Sequence, residues 1–202
     1  MDDEKGVKLV RFARSAVETY LSTGSLPEIP TEDWLLQKSG VFVSIYTFPL
    51  KELRGCIGYP MPILPLGEAT VRAAVAAASE DPRFPPVEKN ELDKVIFEVS
   101  VLSQPEEIPV SNRKELHKEV VVGRDGLIIE SPYGSGLLLP QVPVEYGWDA
   151  EEFLSNLCIK AGLDSTYWLY GRYKLYRFTA EVFAETNSRG RVVRVDILQK
   201  KC

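Results

Sequence analysis

The chain has 202 residues, of which 45% are hydrophobic and 26% are charged, proportions typical of a globular protein with a substantial core. Its formal net charge of −5 argues against binding nucleic acid through a broad basic surface. No apolar run approaches the roughly 18 residues that a membrane-spanning helix needs, and the acidic start MDDEKGVKLV is unlike a secretory signal. The sequence therefore predicts a cytoplasmic protein that does not enter the membrane.

The cysteines, Cys56, Cys158 and Cys202, are odd in number and far apart. Such spacing is not that of a disulfide framework, and without a Cys-x-x-Cys or His-x-x-x-His pair there is no zinc motif. The glycine-rich phosphate loops of nucleotide-binding proteins and the HExxH and GxSxG motifs of hydrolases are also missing. The sequence therefore predicts neither a metal site nor a cofactor.

The first half of the chain predicts two helices and a buried strand. Residues 6–21 place apolar side chains at spacings of one, three and four, which is typical of an amphipathic helix, and Gly24 would end it. Residues 41–48 are mostly β-branched or aromatic and predict a buried strand. A stiff, proline-rich loop at 60–65 precedes residues 68–79, whose alanines favour a helix that packs closely.

The second half predicts mainly strands and one further helix. Asp149 and Glu152 have the spacing of a capping box, so a helix should begin there and end at Gly162. The predicted strands are residues 95–102, 127–130, a short segment before Pro140, 172–185 and 191–198.

The strands occur in clusters rather than alternating with helices, which favours an α+β fold with a mixed, mostly antiparallel sheet and helices packed on it. The proline-rich segments at 60–65 and 82–86 bracket the alanine-rich helix and suggest a small subdomain around residues 50–100. Residues 187–202 are interpreted as a solvated C-terminal tail, with a local basic patch as the alternative. The basic residues of this tail are Arg189, Arg191, Arg194, Lys200 and Lys201.

The segment LRGCIG, residues 53–58, is the strongest candidate for a site. If it is extended, Arg54 and Cys56 share a face, and a neighbouring cation would favour the thiolate that a nucleophilic cysteine needs. Gly55 and Gly58 would let a ligand or another backbone come close. The same residues also fit a bend that contains a small buried cysteine, and from these residues alone that interpretation is slightly favoured.

A nucleophile usually needs a base, and the single histidine, His117, lies in a charged segment where surface exposure is expected. Glu98 is the better candidate, because a glutamate in the middle of a strand needs a partner if it is buried. Arg54 or Arg83 could supply that partner. The alternative, that Glu98 is half exposed on an open sheet face, is about equally favoured.

The segment EDPRFPP, residues 80–86, is a charged turn enclosed by prolines. It could form a rigid rim that presents Asp81 and Arg83 to a ligand. A helix stop with a local ion pair between the same two residues is the preferred interpretation from the sequence.

The segment LRGCIG resembles the hallmark hexapeptide of the AMME chromosomal region gene 1 protein family. Several further segments resemble that family in the same order, over roughly residues 6–186, and together they are far more specific than the hexapeptide. Asp125 stands where animal members of the family tend to have a histidine, so the chain resembles the prokaryotic branch. These segments are DPRFPP at 81–86, EVSVL at 98–102, GRDGL at 123–127, LPQV at 139–142, Gly147-Trp148 and KAGL at 160–163.

The resemblance implies one α+β domain over residues 6–186, with a larger and a smaller part. It also implies Cys56 as the candidate active residue, and an enzymatic role in modifying RNA or a small molecule. Memo-like and radical-SAM-type proteins are the partners that this family context implies.

These observations lead to three hypotheses. In the first, Cys56 is the nucleophile of a thiol-dependent enzyme, Arg54 lowers the thiol pKa, and Glu98 orients it or acts as base. Substrate would then contact Arg54, Gly55, Gly58, Asp81 and Arg83. In the second, the chain is a non-enzymatic module that binds protein or nucleic acid, and Cys56 is structural. In the third, Cys56 senses redox state by pairing with Cys158 or Cys202.

Overall fold

The computed structural model describes residues 1–199, and this part of the chain divides into two units. The first unit comprises Met1–Leu102 and Glu181–Val195, and the second comprises Ser103–Ala180 with the described residues from Asp196 onward. Lys200 and Lys201 of the predicted basic patch, and Cys202 of the redox hypothesis, lie outside the described residues.

Helices and strands both contribute to each unit, which confirms the α+β prediction, and there are two sheets rather than one. The α-helices are α1 (Asp3–Thr23), α2 (Asp33–Leu36), α3 (Leu66–Ser79), α4 (Gln141–Tyr146), α5 (Ala150–Lys160) and α6 (Tyr167–Tyr170). The strands are β1 (Gly40–Thr47), β2 (Leu53–Tyr59), β3 (Val95–Leu102), β4 (Glu106–Ile108), β5 (Gly126–Ser131), β6 (Gly134–Leu138), β7 (Lys174–Phe178), β8 (Ala180–Glu185) and β9 (Val192–Val195). Three short 3-10 helices, Lys89–Lys94, Arg113–Glu119 and Ile197–Gln199, complete the described elements.

Helix α1 forms where the apolar periodicity predicts it. The side chain of Asp2 caps its start by accepting a hydrogen bond from the backbone N–H of Lys5 at 2.8 Å. Gly24 ends it in the left-handed conformation, at a φ of 73°, which glycine adopts without steric strain. In the predicted apolar stripe, Leu9 and Val17 are fully buried, whereas Tyr20 and Leu21 near the end of the helix are half-buried.

In the first unit the strand order is β2-β1-β3-β8-β9, so β2 and β9 form the two edges of the sheet. Strands β2 and β3 both pair with β1 in antiparallel register. Alternate side chains of β1 and β3, such as Val43 and Phe97, join the core built with α1 and α3. The remaining side chains of these strands, including Ser44 and Glu98, therefore lie on the opposite face.

A buried ion pair that the sequence did not predict joins α1 to β8. The guanidinium of Arg14 donates to both carboxylate oxygens of Glu185 and also to the carbonyl oxygens of Leu92 and Val95. The backbone N–H of Phe97 donates to the same carboxylate at 3.0 Å. Because both charges are paired and hydrogen-bonded, burying them is tolerated.

The second unit contains a sheet with the order β4-β7-β5-β6. Helix α5 begins with the predicted capping box, in which Asp149 accepts from the backbone N–H of Glu152 and Glu152 accepts from that of Asp149. Phe153 and Leu157 of α5 pack with Leu127 of β5 in the core of this unit.

The predicted long strand over residues 172–185 is wrong in one respect, because it is interrupted at Thr179. Strand β7 pairs with β4 and β5, whereas β8 pairs with β9 in the other sheet. Both halves have the same apolar alternation, so the sequence pattern does not reveal that they join different sheets. Among the described residues, no helix is both long and apolar enough to cross a bilayer.

Candidate functional site

Cys56 lies on the edge strand β2, in a row of polar side chains that crosses three strands. In the antiparallel registers Cys56 is opposite Ser44, and Ser44 is opposite Glu98. Directly opposed residues point to the same face, so these three side chains are neighbours across the sheet. The hydroxyl of Ser44 donates to the sulfur of Cys56 at 3.2 Å. Ser44 and Glu98 are buried, and Cys56 is half-buried.

The backbone of Cys56 is held by the loop that follows α3. Its N–H donates to Oδ2 of Asp81 at 2.8 Å, and its carbonyl oxygen accepts from Nη2 of Arg83 at 3.2 Å. Because β2 is an edge strand, these groups would otherwise lack a neighbouring strand. The Asp81–Arg83 pair therefore supplies the acceptor and the donor that such a strand would provide.

Asp81 and Arg83 also bind each other through two side-chain hydrogen bonds, Nε to Oδ1 at 2.9 Å and Nη2 to Oδ2 at 2.6 Å. The Arg83 guanidinium holds the pKa of Asp81 well below its ordinary range, helped by the N–H groups of Cys56 and Arg83 and opposed by burial. The preferred interpretation of EDPRFPP, a local Asp–Arg ion pair, is thus confirmed. Asp81 is buried, so only the guanidinium side of the pair faces solvent.

Burial raises the pKa of the Cys56 thiol above its ordinary value. The hydrogen bond from Ser44 and the charge of Arg83 oppose this effect, while the charges of Glu98 and Asp81 add to it. The expectation that the surroundings of Cys56 lower its thiol pKa is therefore wrong, because burial disfavours the thiolate.

Arg54 does not act on the thiol as predicted, because its guanidinium binds elsewhere. Its Nε and Nη2 donate to the two carboxylate oxygens of Glu91 at 2.9 and 3.1 Å. Its Nη1 and Nη2 donate to the carbonyl oxygens of Pro85 and Pro86 at 2.8 and 3.3 Å. Arg54 therefore ties β2 to the proline-rich loop, and Arg83 is the arginine whose charge reaches Cys56.

The space beside the two glycines of the hexapeptide is filled by other parts of the same chain. A Cβ on Gly55 would lie 2.0 Å from the carbonyl oxygen of Ala77, so α3 packs directly against this backbone. A Cβ on Gly58 would lie 2.3 Å from the ring of Phe42, its cross-strand partner. The expectation that another backbone approaches the glycines is confirmed at Gly55.

Of the predicted site residues, the structure brings Cys56, Asp81, Arg83 and Glu98 together and directs the guanidinium of Arg54 toward Glu91. Sequence reasoning missed Ser44, although it is the single polar residue within the apolar run VFVSIY. Among residues 1–199, no cluster of three or more histidine, cysteine, aspartate or glutamate side chains is arranged to hold a metal ion.

Cys158 packs in the core of the second unit, as predicted, and burial raises the pKa of its thiol to about 11. Cys56 and Cys158 are both free cysteines and belong to different units. The redox hypothesis also named Cys202, which lies outside the described residues.

These features define an α+β protein with two sheets, in which the hexapeptide LRGCIG forms an edge strand held by the DPRFPP loop. Residues 10–183 match the family model described as AMMECR1, and the chain therefore belongs to the AMMECR1 family.

The chain is similar to archaeal proteins over nearly its whole length. It is 54% identical to a protein of Thermofilum pendens over 200 residues, which cover 94% of each chain. It is 50% identical to protein MJ0810 of Methanocaldococcus jannaschii, with 96% of this chain and 97% of that protein covered. The crystal structure of the uncharacterized protein PH0010 from Pyrococcus horikoshii superposes with a TM-score of 0.92 at 51% identity, covering 97% of this chain and 98% of that one.

Proposed function

We propose that this AMMECR1-family protein is a non-enzymatic binding module in which Cys56 is structural. The observation that carries the proposal is the internal use of the hexapeptide. Arg54 is bound by Glu91, Gly55 lies against α3, and the backbone of Cys56 is clamped by Asp81 and Arg83. Groups that a substrate would need are thus already used to fasten β2 to its neighbours.

The electrostatics of Cys56 support the same proposal. A nucleophilic cysteine is usually activated by a cation that favours the thiolate. Here burial, Glu98 and Asp81 outweigh Arg83 and the Ser44 hydroxyl, and the thiol pKa is raised. A protonated thiol that accepts a hydrogen bond is suited to packing rather than to attack on a substrate.

One observation favours a second candidate, a thiol-dependent enzyme that transfers a group to RNA or a small molecule. The row Cys56–Ser44–Glu98 places a thiol, a hydroxyl and a carboxylate side by side on one sheet face. In that mechanism Glu98 would accept the thiol proton, while Ser44 and Arg83 would stabilise the thiolate. Such clustering of buried ionisable groups is common at functional sites.

The rate of alkylation by iodoacetamide, followed against pH by mass spectrometry of each cysteine-containing peptide, distinguishes the two candidates. We expect the reactivity of Cys56 to have its midpoint above about 8.5, the ordinary value for a free thiol. A midpoint below that value overturns the structural role and favours the enzyme. Cys158, in the core of the second unit, provides an internal reference for a thiol whose pKa is raised by burial.

Two variants sharpen this measurement. Ser44→Ala removes the donor to the Cys56 sulfur and should raise the midpoint further, whereas Glu98→Gln removes a nearby negative charge and should lower it. Cys56→Ser should fold and keep its binding activity if the thiol only packs. Loss of a cellular function in Cys56→Ser, with stability and binding intact, would favour the enzyme instead.

Several predictions from the sequence remain proposals. They are the cytoplasmic location, a single domain over residues 6–186 followed by a C-terminal segment at 187–202, and partners among Memo-like or radical-SAM-type proteins. That segment is not a solvated tail throughout, because its residues Val192–Val195 form β9 and pair with β8. Co-purification from the native organism, with Cys56→Ser as the comparison, would test the partners without presuming a reaction.

A further inference from the structure

The two edge strands of the five-stranded sheet, β2 and β9, differ in whether their outward backbone groups are hydrogen-bonded. At β2, the outward N–H and C=O of Cys56 are bonded by Asp81 and Arg83. Strand β9 forms the opposite edge, pairing with β8 on one side. An edge strand with unpaired backbone groups can accept another strand, so the state of β9 has functional consequences.

The antiparallel pairing of β8 with β9 determines which backbone groups of β9 face β8 and which face outward. The N–H of Thr186 donates to the carbonyl oxygen of Arg191 at 2.8 Å, so the backbone of Arg191 faces β8. Antiparallel pairing alternates, and the backbone groups of Val192 and Arg194 therefore point away from β8. Among residues 1–199, neither of these two backbones has a hydrogen-bond partner on that outer side.

A groove of about 530 Å³ lies beside this edge. Its walls come from the first three turns of α1 and from β9 with the residue before it, and its volume is within the range of small ligand sites. The lining residues of α1 are Asp3, Glu4, Val7 and Arg11, and those of the strand side are residues 191–194.

The charges of the groove favour an acidic partner. Arg194 is occupied by Asp3 and Glu181, each at 2.8 Å, and Arg11 pairs with the buried Glu185 at 3.3 Å. The exposed guanidinium of Arg191 has no ion-pair or hydrogen-bond partner among the described residues. Of the two carboxylates that line the groove, Asp3 pairs with Arg194 and Glu4 pairs with Lys8 at 3.7 Å. The unpaired charge in the groove is therefore that of Arg191, the residue before β9.

We propose that the β9 edge is a docking site for an extended, acidic peptide segment of a partner protein, which adds to the sheet as a further strand. The backbones of Val192 and Arg194 pair with the peptide, and Arg191 binds one of its carboxylates. This inference rests on the proposed function as a binding module and names the kind of partner that the module takes.

Two other occupants fit the groove less well. A second copy of the chain would bring two β9 strands together and crowd four arginines, Arg191 and Arg194 of each copy, along one short ladder. A nucleic-acid backbone offers no peptide groups to pair with the strand.

The test uses the full chain and a fluorescein-labelled peptide of sequence EVTVE, followed by fluorescence anisotropy. We expect saturable binding below about 1 mM, weakened about five- to tenfold by Arg191→Glu. Lys114→Glu makes the same charge change at an exposed residue of the second unit and should leave binding unchanged. The peptide KVTVK should prefer the Arg191→Glu variant.

Backbone pairing has its own readout. An EVTVE peptide N-methylated at alternate amides keeps its charge but loses donors, and it should bind at least about fivefold more weakly. Amide hydrogen exchange at Val192 and Arg194 should slow when EVTVE is added. Equal binding of the methylated peptide, unchanged exchange, or no effect of Arg191→Glu overturns the inference, as does preferential binding of an RNA oligonucleotide or self-association through β9.

Two measurements on the wild-type chain, the EVTVE titration and the alkylation of Cys56 against pH, separate this inference from the proposed function. If EVTVE fails to bind while the alkylation midpoint of Cys56 lies above about 8.5, only the docking site is refuted. If EVTVE binds while that midpoint lies lower, the docking site stands and the structural role of Cys56 fails.

Discussion

The backbone N–H of Cys56 donates to the carboxylate of Asp81 at 2.8 Å, across 25 positions of sequence. The carboxylate takes the place of a strand at the sheet edge, and it is itself fixed by Arg83. The two most distinctive segments of the sequence, LRGCIG and DPRFPP, are therefore joined by hydrogen bonds, and DPRFPP holds the edge strand that LRGCIG forms.

Asp81→Ala should destabilise the fold by about 1–3 kcal/mol, because it leaves the partly buried N–H of Cys56 without an acceptor. Asp81→Asn keeps an acceptor and should be milder. Urea unfolding followed by circular dichroism measures both. Glu28→Ala, at an exposed loop position, is the control and should change stability by no more than about 0.5 kcal/mol. Equal effects of the alanine and asparagine variants would contradict a role for the hydrogen bond to Cys56.

The lowered pKa of Asp81 predicts a particular pH dependence. The ionised carboxylate stabilises the fold fully above the unfolded-state value of about 3.9, and this contribution is lost as the pH falls through the lower folded-state pKa. The stability difference between the wild type and Asp81→Asn should therefore be constant near neutral pH and shrink below about pH 4. A difference that persists unchanged in acid would show that the Arg83 ion pair is not its source.

Gly55→Ala should destabilise the protein by at least the 1–3 kcal/mol or so typical of overpacking. The new Cβ would lie 2.0 Å from the backbone oxygen of Ala77, so α3 must move away from β2. Gly24→Ala is the comparison, because nothing lies within 4 Å of its Cβ and only the left-handed φ of 73° resists it. That variant should lose only about 1–2 kcal/mol. Similar unfolding midpoints for the two variants would contradict close packing at Gly55.

The buried pair Arg14–Glu185 should respond asymmetrically to substitution. Removing one partner, as in Glu185→Leu, leaves the buried guanidinium of Arg14 with Glu18, at 3.8 Å, as its remaining ion-pair partner and should cost about 3–5 kcal/mol. The double variant Arg14→Met with Glu185→Leu removes both charges and should recover a large part of that loss. The exposed pair Arg72–Glu68, treated in the same double-mutant cycle, should show a coupling of about 0.5 kcal/mol or less. Additive effects at Arg14 and Glu185 would refute the pairing.

The elements whose signals are local were predictable from the sequence. The apolar periodicity predicted α1, the alanine run predicted α3, the β-branched and aromatic residues 41–48 predicted β1, and the capping box predicted the start of α5. The α+β class and the family followed from the same residues. These features depend on neighbours within a few positions, where side-chain spacing and backbone preference suffice.

Which distant charges meet depends on the tertiary fold, whereas the local Asp81–Arg83 pair was predictable from the sequence. Spacing placed Arg54 beside Cys56, but the folded chain gives Arg54 to Glu91 and places Arg83 near the thiol. It likewise joined Arg14 to Glu185 across 171 positions and sent β7 and β8 into different sheets. An arginine side chain is long enough to reach any of several acceptors. Which acceptor it binds depends on the segments that the packing of the core places beside it. The sequence pattern of one strand therefore cannot reveal that choice.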